Sequence, residues 1–204
     1  MLKINSGQFR SRLISGPPDM ERSRPMPSRV KESLFNLLRG WFEDARVLDL
    51  FAGVGTVGLE AVSHGASEVF MFERDREIHA ILQANIAELD CGDHCRAVLA
   101  DALGPSVLAQ APRPVDIVFM DPPYAIMAQD SMRQAVLAQA SRLHAVMADK
   151  AWLVLRTPEP LSESERVIEG LAGPEVHQYA EDMHVHLYFK GPDSSDEDEG
   201  RSTS

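Results

Sequence analysis

Asp121-Pro122-Pro123-Tyr124 is the stretch of this chain in which residue types and spacing most directly imply chemistry. Two consecutive prolines donate no backbone hydrogen bond and hold φ near about −65°, so their turn is stiff and offers only acceptors. Those acceptors are the Asp121 carboxylate and the Pro122 carbonyl, and Tyr124 adds a flat face for stacking. Such a set suits a planar base carrying an exocyclic amino group. The lone pair of that nitrogen is delocalised into the ring, which makes it a poor nucleophile. Hydrogen bonds from its two N–H groups to Asp121 and Pro122 favour a pyramidal nitrogen with a localised pair, and they stabilise the positive charge that builds on it. Holding the nitrogen in line with a sulfonium methyl adds proximity. This chemistry calls for no metal. A rigid strand exit would also account for the prolines, so the placement of the motif matters.

A second constellation lies upstream, in Asp49-Leu-Phe-Ala-Gly53-Val-Gly55-Thr-Val-Gly58. Gly53, Gly55 and Gly58 spell G-x-G-x-x-G where an apolar run gives way to a helical pattern. Glycines there let backbone approach a ligand, and the following helix offers unpaired N–H groups. Glu73, at the end of the next apolar run, could grip ribose hydroxyls, which fits a dinucleotide as well as a nucleoside. Asp49 tilts the balance, because it sets a carboxylate where a pyrophosphate would have to lie. A carboxylate suits an amine-bearing or cationic ligand such as S-adenosyl-L-methionine. Asp101 could reach an adenine edge or simply cap a helix.

The elements that must position these groups alternate. Strands are predicted over 46–51, 68–72, 96–99, 115–120 and 151–155, and helices over 56–64, 76–89 and 131–147. That alternation predicts an α/β fold with a mainly parallel sheet and helices on both faces. Both motifs then fall at carboxyl ends of strands, the edge where open α/β sheets bind ligands. A further helix is possible at 162–169, and 176–180 with 183–189 suggests a terminal antiparallel hairpin. Residues 1–27 read as a basic N-terminal arm with a short hairpin. Ser28 is a plausible N-cap for a helix with Val30, Leu34, Leu37, Leu38 and Trp41 in phase. Residues 28–190 form the main domain. Residues 191–204 hold Asp196-Glu-Asp-Glu199 and no apolar side chain, and read as a disordered acidic tail.

At 204 residues and 44% hydrophobic content the chain suits one soluble domain and excludes a fibre or a disulfide scaffold. No apolar run is long enough to cross a membrane, and two cysteines point to a reducing cytosol. Net charge is −11, yet residues 1–40 carry +5. A basic end can hold a phosphate backbone locally, because screening limits repulsion from the acidic body beyond about 8–10 Å. Cys91, His94 and Cys95 crowd one loop too tightly for a zinc site. His177, His184 and His186 read as cross-strand surface pairs.

Taken together, the glycine turn, Phe72-Glu73-Arg74-Asp75, Ala100-Asp101-Ala102 and Asp121-Pro-Pro-Tyr124 resemble the ordered motifs of class I S-adenosylmethionine-dependent methyltransferases. Gly7-Gln-Phe-Arg10, Arg24-Pro25 and Arg29-Val-Lys-Glu-Ser-Leu-Phe-Asn36 narrow the resemblance to bacterial RsmD-type 16S ribosomal RNA guanine-N2 methyltransferases, over nearly the whole chain except the tail. The resemblance implies a Rossmann-like fold and methylation of small-subunit ribosomal RNA. It implies that Asp49, Gly53, Gly55, Glu73, Arg74, Asp101 and Ala102 bind the cofactor and that Asp121, Pro122 and Tyr124 hold the target base. Arg10, Arg12, Arg24 and Arg29 would contact RNA, in a cytoplasmic, metal-free monomer. Met26-Pro27-Ser28 and Tyr179-Ala-Glu-Asp182 depart from the family's pattern. Adenine-N6 methylation of DNA or RNA shares the Asp-Pro-Pro-Tyr chemistry. The glycine turn is also compatible with a non-catalytic cofactor- or RNA-binding module and with a nicotinamide dehydrogenase.

Overall fold

The computed structural model describes residues 1–19 and 25–191. Arg24 and the acidic tail from residue 192 onward lie outside the described residues. A short antiparallel pair, β1 (Leu2–Lys3) and β2 (Leu13–Ile14), precedes α1 (Ser28–Leu37). Strand–helix alternation follows through β3 (Arg46–Leu50), α2 (Gly58–Ser63), β4 (Glu68–Glu73), α3 (Arg76–Leu89), β5 (Cys95–Leu99), α4 (Ser106–Gln110) and β6 (Val115–Met120). The chain continues through α5 (Tyr124–Met127), α6 (Asp130–Leu143) and β7 (Met147–Thr157) into the hairpin β8 (Ala172–Ala180) and β9 (Met183–Lys190).

Seven strands form one sheet in the order β5-β4-β3-β6-β7-β9-β8. The first five are parallel, and β9 enters antiparallel between β7 and β8. Strands β3 and β6 are buried nearly throughout because helices cover both faces of the sheet. One face packs under the N-terminal segment, α1, α2 and α3, and the other under α4, α5 and α6. The chain runs outward from β3 to β5, then crosses to β6 and runs the other way. This reversal opens a crevice between the carboxyl ends of β3 and β6, the switch point at which such sheets bind ligands.

Local departures from the predicted elements have local causes. Pro27 rather than Ser28 sits at the cap of α1, its carbonyl accepting from Val30 N and Lys31 N, both at 3.0 Å. The buried stripe of α1 is Val30, Lys31, Leu34 and Phe35, and Leu37 points outward. The expected helix at 162–169 is a set of turns. Ser162 N donates to Glu165 Oε2 at 3.0 Å as in a capping box, but one turn does not repay helix nucleation and no second turn follows. His184 and His186 are buried rather than surface residues, because β9 is an interior strand, and His177 lies opposite Val185. Burial pulls His186 down to about 4, keeping its ring neutral against Thr157 Oγ1 at 3.0 Å. Cys91 and Cys95 are buried free thiols with their sulfurs 3.5 Å apart. Among the described residues no helix is long and apolar enough to cross a membrane.

The N-terminal segment is built into the core. Ile4 and Ile14 are fully buried with α1 and α2. Beneath them Lys31 Nζ pairs with Glu60 Oε2 at 2.7 Å, with both side chains almost wholly buried. Glu60 also accepts from Asn5 N and Ser6 N, and Lys31 donates to the Lys3 and Thr56 carbonyls. The pair therefore fastens β1 to α1 and α2. Breaking one half of such a pair strands the other charge in the core, at a cost of about 3–5 kcal/mol. Urea unfolding of Lys31→Met should show a loss of that size, and a loss below about 1 kcal/mol would deny the pair this role.

Candidate active site

A cavity of about 780 Å³ opens at the switch point. Such a volume lies toward the upper end of the range for small-molecule sites, about 300–1,000 Å³. Its floor comes from the ends of β3, β4 and β6, and two further walls from Pro25-Met26-Pro27 and Asp182-Met183. The register sets the geometry. Asp49 pairs with Phe119 and Leu50 with Met120, and Asp121 N reaches Leu50 O at 3.4 Å. The glycine turn and the Asp-Pro-Pro-Tyr turn therefore leave the sheet side by side.

Asp49 is 1% exposed and accepts a hydrogen bond from Gly58 N at 2.8 Å. Burial, outweighing that bond and joined by the charges of Asp121 and Glu73, pushes its carboxyl up to about 8. Phe51, two residues on, holds a left-handed backbone at φ 65°, a strained conformation of the kind found at ligand sites. Gly55 lies behind the cavity wall at φ 90°, where a Cβ would come within 2.5 Å of Leu82 Cδ1. Its lack of a side chain lets α3 close against the turn. Gly53 is on the wall, and its N–H donates to Glu73 Oε2 at 3.0 Å. The other Glu73 oxygen accepts from Asp75 N at 2.7 Å, so this carboxylate ties the β3 turn to the start of α3.

Arg74 and Ala102 also line the cavity. Asp101 does not, since its carboxylate turns back to accept from Leu103 N at 2.9 Å, a local turn bond. On the far side Asp121, Pro123 and Tyr124 form the wall, and Pro122 is buried behind it. Pro123 caps α5, so Tyr124 projects from the first position of a short helix. Arg156, near the carboxyl end of β7, donates from Nε to Asp121 Oδ1, and its guanidinium carbon lies 5.3 Å from the centre of the Tyr124 ring. Burial raises the Asp121 pKa, and Arg156 opposes the rise.

Arg10, Arg12 and Arg29 are exposed on the N-terminal side. Arg12 Nη2 donates to Glu88 O at 2.6 Å, and Arg29 borders a shallow depression on α1 with Glu32, Ser33 and Asn36. Sequence reasoning missed Arg156 and Met183, and it noted Met26 and Asp182 only as departures from the family's pattern. Arg156 left a signal as a lone charge directly after the apolar run 151–155 at a strand's carboxyl end.

The carboxyl groups of Asp49, Glu73, Asp121 and Asp182 outnumber Arg74 and Arg156 on the cavity lining, an acidic surface that disfavours a pyrophosphate and suits a cation. A sulfonium nucleoside with an α-amino group fits that lining, and a nicotinamide dinucleotide does not. The volume leaves room for a planar base beside it. Comparison with known proteins agrees with this chemistry. The family model described as "Conserved hypothetical protein 95" matches residues 2–184. The chain is 38% identical over 152 residues to "Ribosomal RNA small subunit methyltransferase D" of Escherichia coli, covering 74% of this chain and 69% of that one. A protein of that name from Haemophilus influenzae is 33% identical over 124 residues, 60% of this chain and 64% of that one. Among solved structures, "Putative methyltransferase yhhF from Escherichia coli" superposes with a TM-score of 0.75 at 32% identity, covering 93% of this chain and 98% of that one. With an anionic cavity at the switch point and matches spanning most of its length, the chain belongs to the RsmD family of class I S-adenosylmethionine-dependent methyltransferases.

Proposed function

We propose that this methyltransferase transfers a methyl group from S-adenosyl-L-methionine to the exocyclic N2 of a guanine in small-subunit ribosomal RNA. The observation that carries this reading is the adjacency of Asp121 and Asp49 on one cavity, one beside an aromatic ring and the other beneath the glycine turn. The names of the Escherichia coli and Haemophilus influenzae relatives supply the substrate class. When bound, S-adenosyl-L-methionine supplies an electrophilic methyl carbon whose bond to sulfur breaks with its electron pair left on sulfur.

The residues of the chain do the rest. Asp49 answers the positive end of the cofactor, Gly53 lets it approach the backbone, and Glu73 meets the ribose. Arg74 and Ala102, both on the cavity lining, flank the adenine side, Asp101 supports that turn through its bond from Leu103 N, and Gly55 shapes the glycine turn from behind. Asp121 and the Pro122 carbonyl accept from the two N–H groups of the target amine, which frees its lone pair to form the new N–C bond. Tyr124 stacks on the base, which must leave its helix to enter, so an unpaired or loop nucleotide is the target. The amine then sheds one proton, with the Asp121 carboxylate beside it as first acceptor and solvent as the sink. Arg10, Arg12, Arg24 and Arg29 hold the RNA backbone, and Pro25–Pro27 carry the chain from that basic segment to the cavity rim. The enzyme acts as a cytoplasmic monomer and needs no metal, because hydrogen bonds and position activate the amine. Mass spectrometry of the methylated nucleoside from hypomethylated ribosomal subunits tests the reading, with N2-methylguanosine expected and N6-methyladenosine overturning it.

Asp121→Ala should lower kcat by about 10²–10³ or more while the Kd for S-adenosylhomocysteine changes little, and turnover at the parental rate would remove Asp121 from the mechanism. Asp49 binds a cation as a carboxylate but holds a proton below about 8, so cofactor affinity should rise with pH up to about 8 and level off above it. Calorimetric titration should find this slope in the parent and lose it in Asp49→Asn. The sign for the unliganded fold is opposite. The folded state keeps a proton that the unfolded chain releases at 3.8, so stability from this group falls as pH rises from there to about 8. Removing Arg10 and Arg12 together should flatten the salt dependence of RNA binding by about 1.4–1.8 in log–log slope, and an unchanged slope would exclude this segment as the footprint.

A further inference from the structure

We propose that Arg156 is the positioning residue of this site, pinning one oxygen of the Asp121 carboxylate so that the other is presented to the target amine as an anionic acceptor. This rests on the reading of Asp121 given above. Asp121 follows the end of β6, and among the described residues Arg156 is the only side chain or backbone donor that reaches its carboxylate. Without that bond the carboxylate could turn about its side-chain torsions within a cavity that other carboxylates also line. Arg156 is itself well held. It is 6% exposed, its backbone is paired with Val185 of β9, and its guanidinium lies against the Tyr124 ring. One cation thus touches both side chains that would hold the base, and it couples the exit of β6 to the end of β7. Only Nε is engaged, and no protein acceptor among the described residues takes the Nη groups.

The surrounding charges show why a cation is needed there. Asp49 from β3, Glu73 from β4 and Asp182 from the turn before β9 border the cavity, with Arg74 beyond β4 and the Tyr124 hydroxyl on α5. Burial favours the protonated form of Asp121, and a protonated carboxyl can neither accept equally well nor stabilise a developing positive nitrogen. Arg156 opposes protonation through its charge and its hydrogen bond. Lysine would restore the charge but not the planar group that bonds Asp121 edge-on while resting on an aromatic face.

The test compares full-length parent, Arg156→Gln and Arg156→Lys in two measurements. The first is methylation of hypomethylated small ribosomal subunits from pH 6 to 9.5, with S-adenosylhomocysteine affinity as a control. The second is the carboxyl carbon titration of Asp121 by NMR in the unliganded protein, assigned with Asp121→Asn. In Arg156→Gln, kcat near neutral pH should fall about a hundredfold. Its acid limb and the Asp121 midpoint should both move up by about one to three pH units, so that activity recovers in alkali. Cofactor-product affinity should stay within about threefold of the parent. Arg156→Lys should return the midpoint toward the parent while recovering only part of kcat, and it carries the test if Arg156→Gln does not fold. An equal loss at every pH with an unmoved Asp121 midpoint would overturn the proposal. So would parental kcat in Arg156→Gln, or loss of S-adenosylhomocysteine binding alongside activity. Failure of the parent to methylate guanine would instead overturn the functional reading, and the unliganded titration would still report whether Arg156 governs Asp121.

Discussion

Parallel pairing of β3 with β6 is the constraint from which the site follows. Each strand is followed by a turn that a single sequence motif defines, and neither turn makes a site alone. Aligning Leu50 with Met120 brings the two turns out of the sheet one strand spacing apart, about 4.8 Å, with Asp121 N bonded back to Leu50 O. A slip of one residue would send each β3 side chain to the opposite face of the sheet and carry Asp49 away from its place beneath the glycine turn. The apolar residues of both strands, buried on each face, resist that slip. The hydrophobic effect thereby sets the distance between a cofactor site and a base site that share no covalent neighbourhood.

Charge is the second theme, and it works against stability. Asp49, Glu73 and Asp121 crowd one concave edge, and burial makes the ionised form of two of them costly. The fold tolerates this through specific partners: Gly58 N for Asp49, Gly53 N and Asp75 N for Glu73, and Arg156 for Asp121. A bound cation would relieve what remains. An anionic pocket in a protein of net charge −11 is therefore compatible with an RNA substrate, provided the phosphates meet the basic N-terminal segment and only the base enters the pocket.

That segment gains its orientation from the core. Ile4, Ile14 and the Lys31–Glu60 pair fasten it to α1 and α2, so Arg10 and Arg12 project from a docked hairpin instead of a loose strand of charge. Pro25–Pro27 then pass from it to the cavity rim. The placement of the segment is as much a packing result as the sheet is.

Alternating apolar runs were sufficient to read an α/β fold, both motif turns and the terminal hairpin, because buried parallel strands and amphipathic helices leave strong periodic signals. The family was legible for a related reason: Asp49-Leu-Phe-Ala-Gly-Val-Gly and Asp121-Pro-Pro-Tyr each carry their chemistry in consecutive residues. Residues joined only through space left little trace. Arg156 meets Asp121 across 35 positions, Met26 and Met183 share a cavity from opposite ends of the chain, and Lys31 hides in a helical face that reads as apolar. Asp101, promising by position, bonds its own backbone neighbour, and His184 and His186 are buried because β7 and β8 flank β9 on both sides. Local sequence determined which turns could do chemistry, since propensity and hydrogen-bonding capacity belong to short segments. Tertiary structure decided which turns met and which charges paired, because strand order and register depend on burial summed over the whole sheet.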